Sequence, residues 1–155
     1  MDNVAGTLLD AIEEVSTLNV PAALINHIAE SEGFRSHTYQ DQGGLAHIGY
    51  GTNLEVGISE AEASLLLAYR LHAVVKNLEQ RIPGFADYSD STRFVLIDMG
   101  YNLGVGGLLQ FKNMFAAIND GDFDRAANEM ADSRWFNQTG ARSTRLAEVM
   151  RAQSI

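Results

Sequence analysis

Apolar positions recur at helical spacing from the start of the chain. Val4, Leu8, Ala11, Ile12 and Val15 form one stripe with Asp10, Glu13 and Glu14 off it, which predicts an amphipathic helix over residues 2–18. Pro21 suits the first turn of a second helix, in which Leu24, Ile25 and Ile28 repeat until Gly33 stops it, so Glu32 falls at its C-terminal end. From Thr38 to Tyr50 the pattern shortens to an alternation around Asp41-Gln42-Gly43-Gly44, the signal of a β-hairpin. A capping box from Ser59 to Glu62 then opens a long helix whose stripe of Leu65, Leu66, Tyr69, Ala73, Val74 and Leu78 lasts until Pro83. Such a helix spans roughly 33 Å at about 1.5 Å per residue, enough to join two lobes.

Beyond Pro83 the periodicity is almost wholly helical. Ser89 caps an apolar helix that continues to Gly104, and Gly104-Val105-Gly106-Gly107 breaks it. Phe111 to Gly121 holds a further short helix, Asp122 to Ser133 begins another, and a last one occupies about Gly140 to Ala152. These elements predict an α+β fold, mostly α-helical, made of a small hairpin lobe and a helical lobe. The expected boundaries are an N-terminal helical extension over 1–20, then a domain over 21–155. Within that domain the small lobe covers about 32–58, the connecting helix about 59–82 and the helical lobe about 83–155, with an active site expected between the lobes.

Composition narrows the possible partners. The 155 residues carry a net charge of −9. Residues 1–31 hold Asp2, Asp10, Glu13, Glu14 and Glu30 without one Lys or Arg, which leaves −4 for the remainder. Phosphate binding rewards a basic face, so nucleic acid is not expected as a partner. The last 23 residues reverse the balance, with Arg134, Arg142, Arg145 and Arg151 against Glu148 alone. No cysteine is present, which removes disulfides, Cys-based metal sites and thiol nucleophiles. The histidines His27, His37, His47 and His72 show no metal-ligand spacing, and neither a metal nor another cofactor is expected. No run approaches the roughly 18–20 apolar residues of a membrane span, and the acidic N-terminal stretch is unlike a secretory leader. The expectation is therefore a monomer without membrane insertion, made in a cytoplasm.

Candidate chemistry concentrates between Ser31 and Asn53. Unpaired carbonyls at a helix C-terminus disfavour a carboxylate there, the bias a general acid needs at Glu32. Asp41, in a polar turn beside backbone amides, is expected to stay ionised. Two carboxyls pushed in opposite directions by their surroundings are the mark of an acid and its partner in glycoside cleavage. Read alone, each residue has a plainer explanation: a solvated Glu at a helix end, a turn Asp, a hydrogen-bonded structural His47.

The order Glu32, Asp41, His47, followed by Ile48-Gly49-Tyr50-Gly51-Thr52-Asn53, resembles the catalytic segment of the phage T4-type lysozymes, glycoside hydrolase family 24. The resemblance extends from about residue 22 to 152, through GISEAEA at 57–63, LIDMGYNLG at 96–104 and LLQF at 108–111, and is strongest in SRWFNQTGAR at 133–142. It implies a lysozyme-like fold and a muramidase acting on bacterial peptidoglycan, with Glu32 as general acid and Asp41 as the second carboxylate. Arg142 would pair with the acid, and Tyr101, Phe111, Arg142 and Asn53 would bind substrate. Core packing is the better reading of Trp135. The resemblance also implies phage-driven lysis, either with a holin-type pore releasing the protein from the host cytoplasm to the wall or with a virion-borne or prophage role.

The chain departs from the family in two respects. His47 stands where the family usually has Thr, and Thr52 where it usually has His. A threonine hydroxyl orients water, whereas a neutral imidazole can take its proton or attack the anomeric carbon, giving either inversion with a general base or a double displacement with retention. The acidic charge weakens steering toward an anionic wall. Two other readings share these residues: a glycosidase for a related amino sugar polymer such as chitin or chitosan, and a wall-binding module without catalysis.

Overall fold

The computed structural model describes residues 4–17 and 20–153. It is mostly α-helical with one small antiparallel sheet, and it divides into two compact units, Met1–Ala68 and Tyr69–Ile155.

The first unit opens with α1, Val4–Thr17, inside the span that the stripe predicts. Ile12 of that stripe and the neighbouring Leu9 are exposed, while the side chains of Val4, Leu8, Ala11 and Val15 lie outside the described residues. Pro21 immediately precedes α2, Ala22–Glu32, and its carbonyl accepts from the amides of Leu24 and Ile25, which starts the helical ladder. The helix ends where Gly33 takes φ 67°, a conformation open to glycine and costly for other residues. The Leu24, Ile25 and Ile28 repeat is helical but exposed.

The sheet is larger than the predicted hairpin. Strand β1 is Arg35–Gln40, β2 is Ala46–Gly49 and β3 is Thr52–Asn53, all antiparallel in the order β1-β2-β3. Tyr39 pairs with His47 and Gln40 with Ala46, yet Arg35 pairs with Gly49, so four steps along β1 match two along β2 and β1 bulges. A two-residue third strand carries too short an alternation to register as a strand in sequence. Among the described residues of this unit only Ser64 is buried.

Helix α3, Glu60–Arg81, runs unbroken for 22 residues across the boundary between the units. Its capping box forms as the sequence predicts. Glu62 Oε2 accepts from the Ser59 amide at 2.8 Å and the Ser59 hydroxyl at 2.7 Å, while Ser59 Oγ accepts from the Glu62 amide at 3.2 Å. The bond from the Ser59 amide, then that from its hydroxyl, holds the Glu62 carboxyl below the usual range. The expected stripe is partly displaced: Leu66, Tyr69 and Ala73 are exposed, Leu65 and Val74 are half-buried, and Leu78 and Ile82 are buried.

The second unit holds the core. After a 3₁₀ turn at Phe85–Asp87 come α4 (Asp90–Leu103), α5 (Val105–Leu108), α6 (Lys112–Asn119), α7 (Phe123–Ala131), α8 (Arg134–Thr139) and α9 (Ala141–Arg151). Ser89 caps α4 by accepting from the Thr92 amide, as predicted. Gly104 ends α4, but the glycine-rich stretch expected only to break it resumes as the one-turn α5. Helix α8 is not predicted by periodicity, being too short to show one, although its cap, Ser133 accepting from Phe136, is a local signal. Leu78, Leu96, Met99, Leu108, Met114, Met130 and Met150 are fully buried. Four of the chain's five methionines thus fill the interior, where an unbranched flexible side chain suits the irregular gaps between short helices.

Candidate active site

The turn from Asp41 to Leu45 is built by Asp41 itself. Its Oδ1 accepts from the amides of Gly43 at 2.8 Å and Leu45 at 2.9 Å, while its own amide donates to the Leu45 carbonyl at 3.0 Å. This is why Asp, followed by two glycines, closes the turn: the short carboxylate reaches amides that the hairpin leaves unpaired. A Cβ at Gly43 would stand 3.3 Å from Asp41 Oδ1, so the first glycine gives the carboxylate room. The second oxygen, Oδ2, lies 4.0 Å from His47 Nδ1.

His47 is the better protected partner, its side chain 14% exposed against 40% for Asp41. Strand register sets it opposite Tyr39 on β1 and Asn53 on β3, with the Tyr39 ring 5.7 Å from the imidazole, centroid to centroid. Its Nδ1 is 2.9 Å from the Leu45 carbonyl oxygen. A carbonyl only accepts, so Nδ1 carries the hydrogen and the neutral ring keeps its lone pair on Nε2. The sheet thereby places Asp41, His47 and Asn53 beside one another.

Glu32, the last residue of α2, is exposed, and its carboxylate lies over Gly51 in the turn between β2 and β3. Phe34, just beyond the helix end, meets Tyr50 of the same turn with ring centroids 5.4 Å apart. The end of α2 and the β2–β3 turn therefore touch at two neighbouring points.

The remaining predicted residues belong to the second unit. Arg142 Nε donates to Asp98 Oδ1 at 2.8 Å, tying α9 to α4. Asp98 is a partner that sequence reading missed, since 44 residues separate the two and no local pattern links them. Trp135 is buried, donates from Nε1 to Asn102 Oδ1 at 2.8 Å and meets the half-buried Phe111 edge-on at 6.2 Å, which makes it a core residue as expected. Phe111 also lines an open hollow of about 430 Å³ with Lys112, Asn113 and Glu129. Tyr101, 38% exposed, lines a different hollow of about 550 Å³ with Arg70, Asn77 and Arg81. Among the described residues no group of three His, Asp or Glu side chains is placed to hold a metal ion, and no helix is long and apolar enough to cross a membrane.

Asp41 has two separable jobs, which a pair of substitutions distinguishes. Asp41→Asn keeps an oxygen acceptor for the Gly43 and Leu45 amides and loses only the charge, so the melting temperature should stay near wild type. Asp41→Ala removes the acceptor and should destabilise by about 1 kcal/mol, the usual net worth of such bonds at a solvent-accessible site. Circular dichroism melts of the two variants check this.

A mostly helical chain with one small antiparallel sheet and a long helix leading out of it has the fold of the lysozyme-like proteins. The profile of the phage lysozyme family matches residues 29–153, and the chain belongs to that family. Among curated proteins it is 28% identical over 132 residues to the endolysin of Bacillus phage B103, which covers 81% of this chain and 48% of that one. It is 26% identical over 101 residues to the probable T4-type lysozyme 1 of Dictyostelium discoideum, covering 63% of this chain and 59% of that protein. It is also 33% identical over 60 residues to the pre-baseplate central spike protein Gp5 of Enterobacteria phage T4, covering 39% of this chain and 10% of the spike protein. The matches thus span from a tenth to about three fifths of these relatives' own lengths.

Proposed function

We propose that this protein is an endo-acting muramidase that hydrolyses the β-1,4 bond between N-acetylmuramic acid and N-acetylglucosamine in bacterial peptidoglycan, without metal or cofactor. The observation that carries the proposal is the joining of Asp41 and His47 by one turn, in a family member that keeps Glu32 at the end of the preceding helix. Glu32 protonates the glycosidic oxygen as the C–O bond breaks, and the Asp41 carboxylate stabilises the cationic sugar. Nε2 of His47 takes a proton from the attacking water. The imidazolium so formed keeps its Nδ1–H on the Leu45 carbonyl and gains the Asp41 charge at 4.0 Å, an attraction of about 1 kcal/mol at water-like dielectric that strengthens as substrate excludes solvent. That geometry supports the general-base route with inversion, and the same Nε2 lone pair serves direct attack with retention. Arg142, Tyr101, Phe111 and Asn53 contact the glycan. In its biological setting the enzyme is made in the host cytoplasm, is released to the wall through a holin-type pore and serves phage lysis.

Digestion of purified peptidoglycan tests the reading. Products ending in a muramic acid reducing end are expected, and proton NMR of the first-formed anomer separates base catalysis, which inverts, from attack by His47, which retains. Chito-oligosaccharide products, or wall binding with no reducing ends released, would replace the proposal. His47→Thr supplies a second test. The variant should lose about 10²-fold or more in turnover while its melting temperature stays near wild type. Unchanged turnover would reduce His47 to a structural residue.

A further inference from the structure

We propose that Gly51 is a positioning residue for the general acid: the absence of a side chain on the β2–β3 turn is what allows the Glu32 carboxylate to occupy its place. The inference rests on the assignment of Glu32 as acid. A Cβ built on Gly51 would stand 2.9 Å from Glu32 Oε2, 3.4 Å from its Cδ and 3.8 Å from its Cγ. The first distance is below any ordinary carbon–oxygen contact and the other two follow the side chain inward, so the carboxylate lies along the bare face of this glycine. Any β-carbon there pushes the acid away.

The β2–β3 turn closes the hairpin that carries two of the sheet's site residues, His47 and Asn53. His47 and Asn53 form a cross-strand pair, Ile48 and Thr52 form the next, and Gly49-Tyr50-Gly51 closes the turn. Tyr50 meets Phe34, two residues beyond the acid. Glu32 is thus referenced to the same short hairpin as His47: the ring contact brings the helix end to the turn, and Gly51 sets how closely the carboxylate approaches it. Acid and histidine are thus both placed by reference to one short hairpin.

A neighbouring glycine provides the control. Gly49 has φ +68° and Gly51 has φ +79°, so alanine is strained at either position, but a Cβ at Gly49 meets nothing within 4 Å. The experiment compares Gly49→Ala and Gly51→Ala by thermal melts and by full pH–rate profiles on purified peptidoglycan. Both variants are expected to melt lower than wild type. Gly49→Ala should keep kcat and the shape of its profile. Gly51→Ala should lose about 10²-fold in kcat with KM nearly unchanged, the scale of a misplacement of about 1 Å, and the alkaline limb that reports the acid should move.

Each alanine is also introduced into a Glu32→Ala background and melted. With the carboxylate removed, the excess loss of Gly51→Ala over Gly49→Ala should vanish, and this readout needs no activity. It remains decisive if Gly51→Ala alone does not fold, because the variant in the Glu32→Ala background should then recover the melting behaviour of its Gly49→Ala counterpart. Equal profiles for Gly49→Ala and Gly51→Ala, or an excess loss that persists without Glu32, would overturn the proposal. Wild-type turnover in Glu32→Gln is a separate result that would remove the acid assignment itself, whatever the glycine variants do.

Discussion

Glu32→Gln is expected to lower the turnover of peptidoglycan by about 10²–10⁴-fold, the usual contribution of a positioned proton donor. The amide matches the carboxyl in shape, so it can occupy the same place over Gly51, but it has no acidic proton to give to the leaving oxygen. Glu32 is exposed at the end of α2, and nothing in a buried interior depends on it. The thermal midpoint should therefore be close to wild type, and the KM should change far less than kcat, since the lost interaction belongs to the transition state. Initial rates of reducing-end release, measured beside a melting curve, read both quantities. Near-wild-type turnover would transfer the acid role away from Glu32.

The largest effect on stability should come from the other unit. Leu96 on α4 is fully buried among core residues that include Leu78, Met99 and Met114. Leu96→Ala removes apolar contacts and leaves a space that short, already well-packed helices can close only in part, at a cost of about 2–5 kcal/mol. Urea unfolding should show a lower midpoint with an unchanged slope, the sign of lost stability rather than of a changed folded surface. Turnover per folded molecule should persist, because Asp41, His47 and Glu32 lie outside this core. A loss below about 1 kcal/mol would mean that the flexible methionine side chains around it refill the space.

How much of this was legible in the sequence depends on how far each signal reaches along the chain. Caps and turns are local, and they read correctly: Ser59 with Glu62, Ser89 with Thr92, Gly33 at the end of α2, and Asp41 ahead of two glycines. Helix α8 and strand β3 escaped periodicity because six and two residues are too few to show a period. Stripes gave the type of element but not its surroundings, since Leu24, Ile25 and Ile28 repeat as a helix should and are nonetheless exposed. The site divides in the same way. The turn chemistry around Asp41 was visible in neighbouring letters, whereas the Leu45 carbonyl that sets the His47 tautomer, the Asp98 partner of Arg142 and the bare face of Gly51 beneath Glu32 are contacts made only once the chain has folded.

The residues assigned to chemistry and the residues that form the interior are carried by different stretches of chain, and this bears on how the molecule opens and how its sequence can drift. The core described runs from Leu78 to Met150, while the sheet is held by strand pairing and by the bonds of Asp41. Such a segment is expected to open as a low-energy foldon, and hydrogen–deuterium exchange should show its amides exchanging well before those of α4 and α9. A replacement within it draws little on global stability. A change of residue at position 47 therefore draws little on the helical interior, and the segment proposed to be catalytic can vary while that interior keeps the molecule folded.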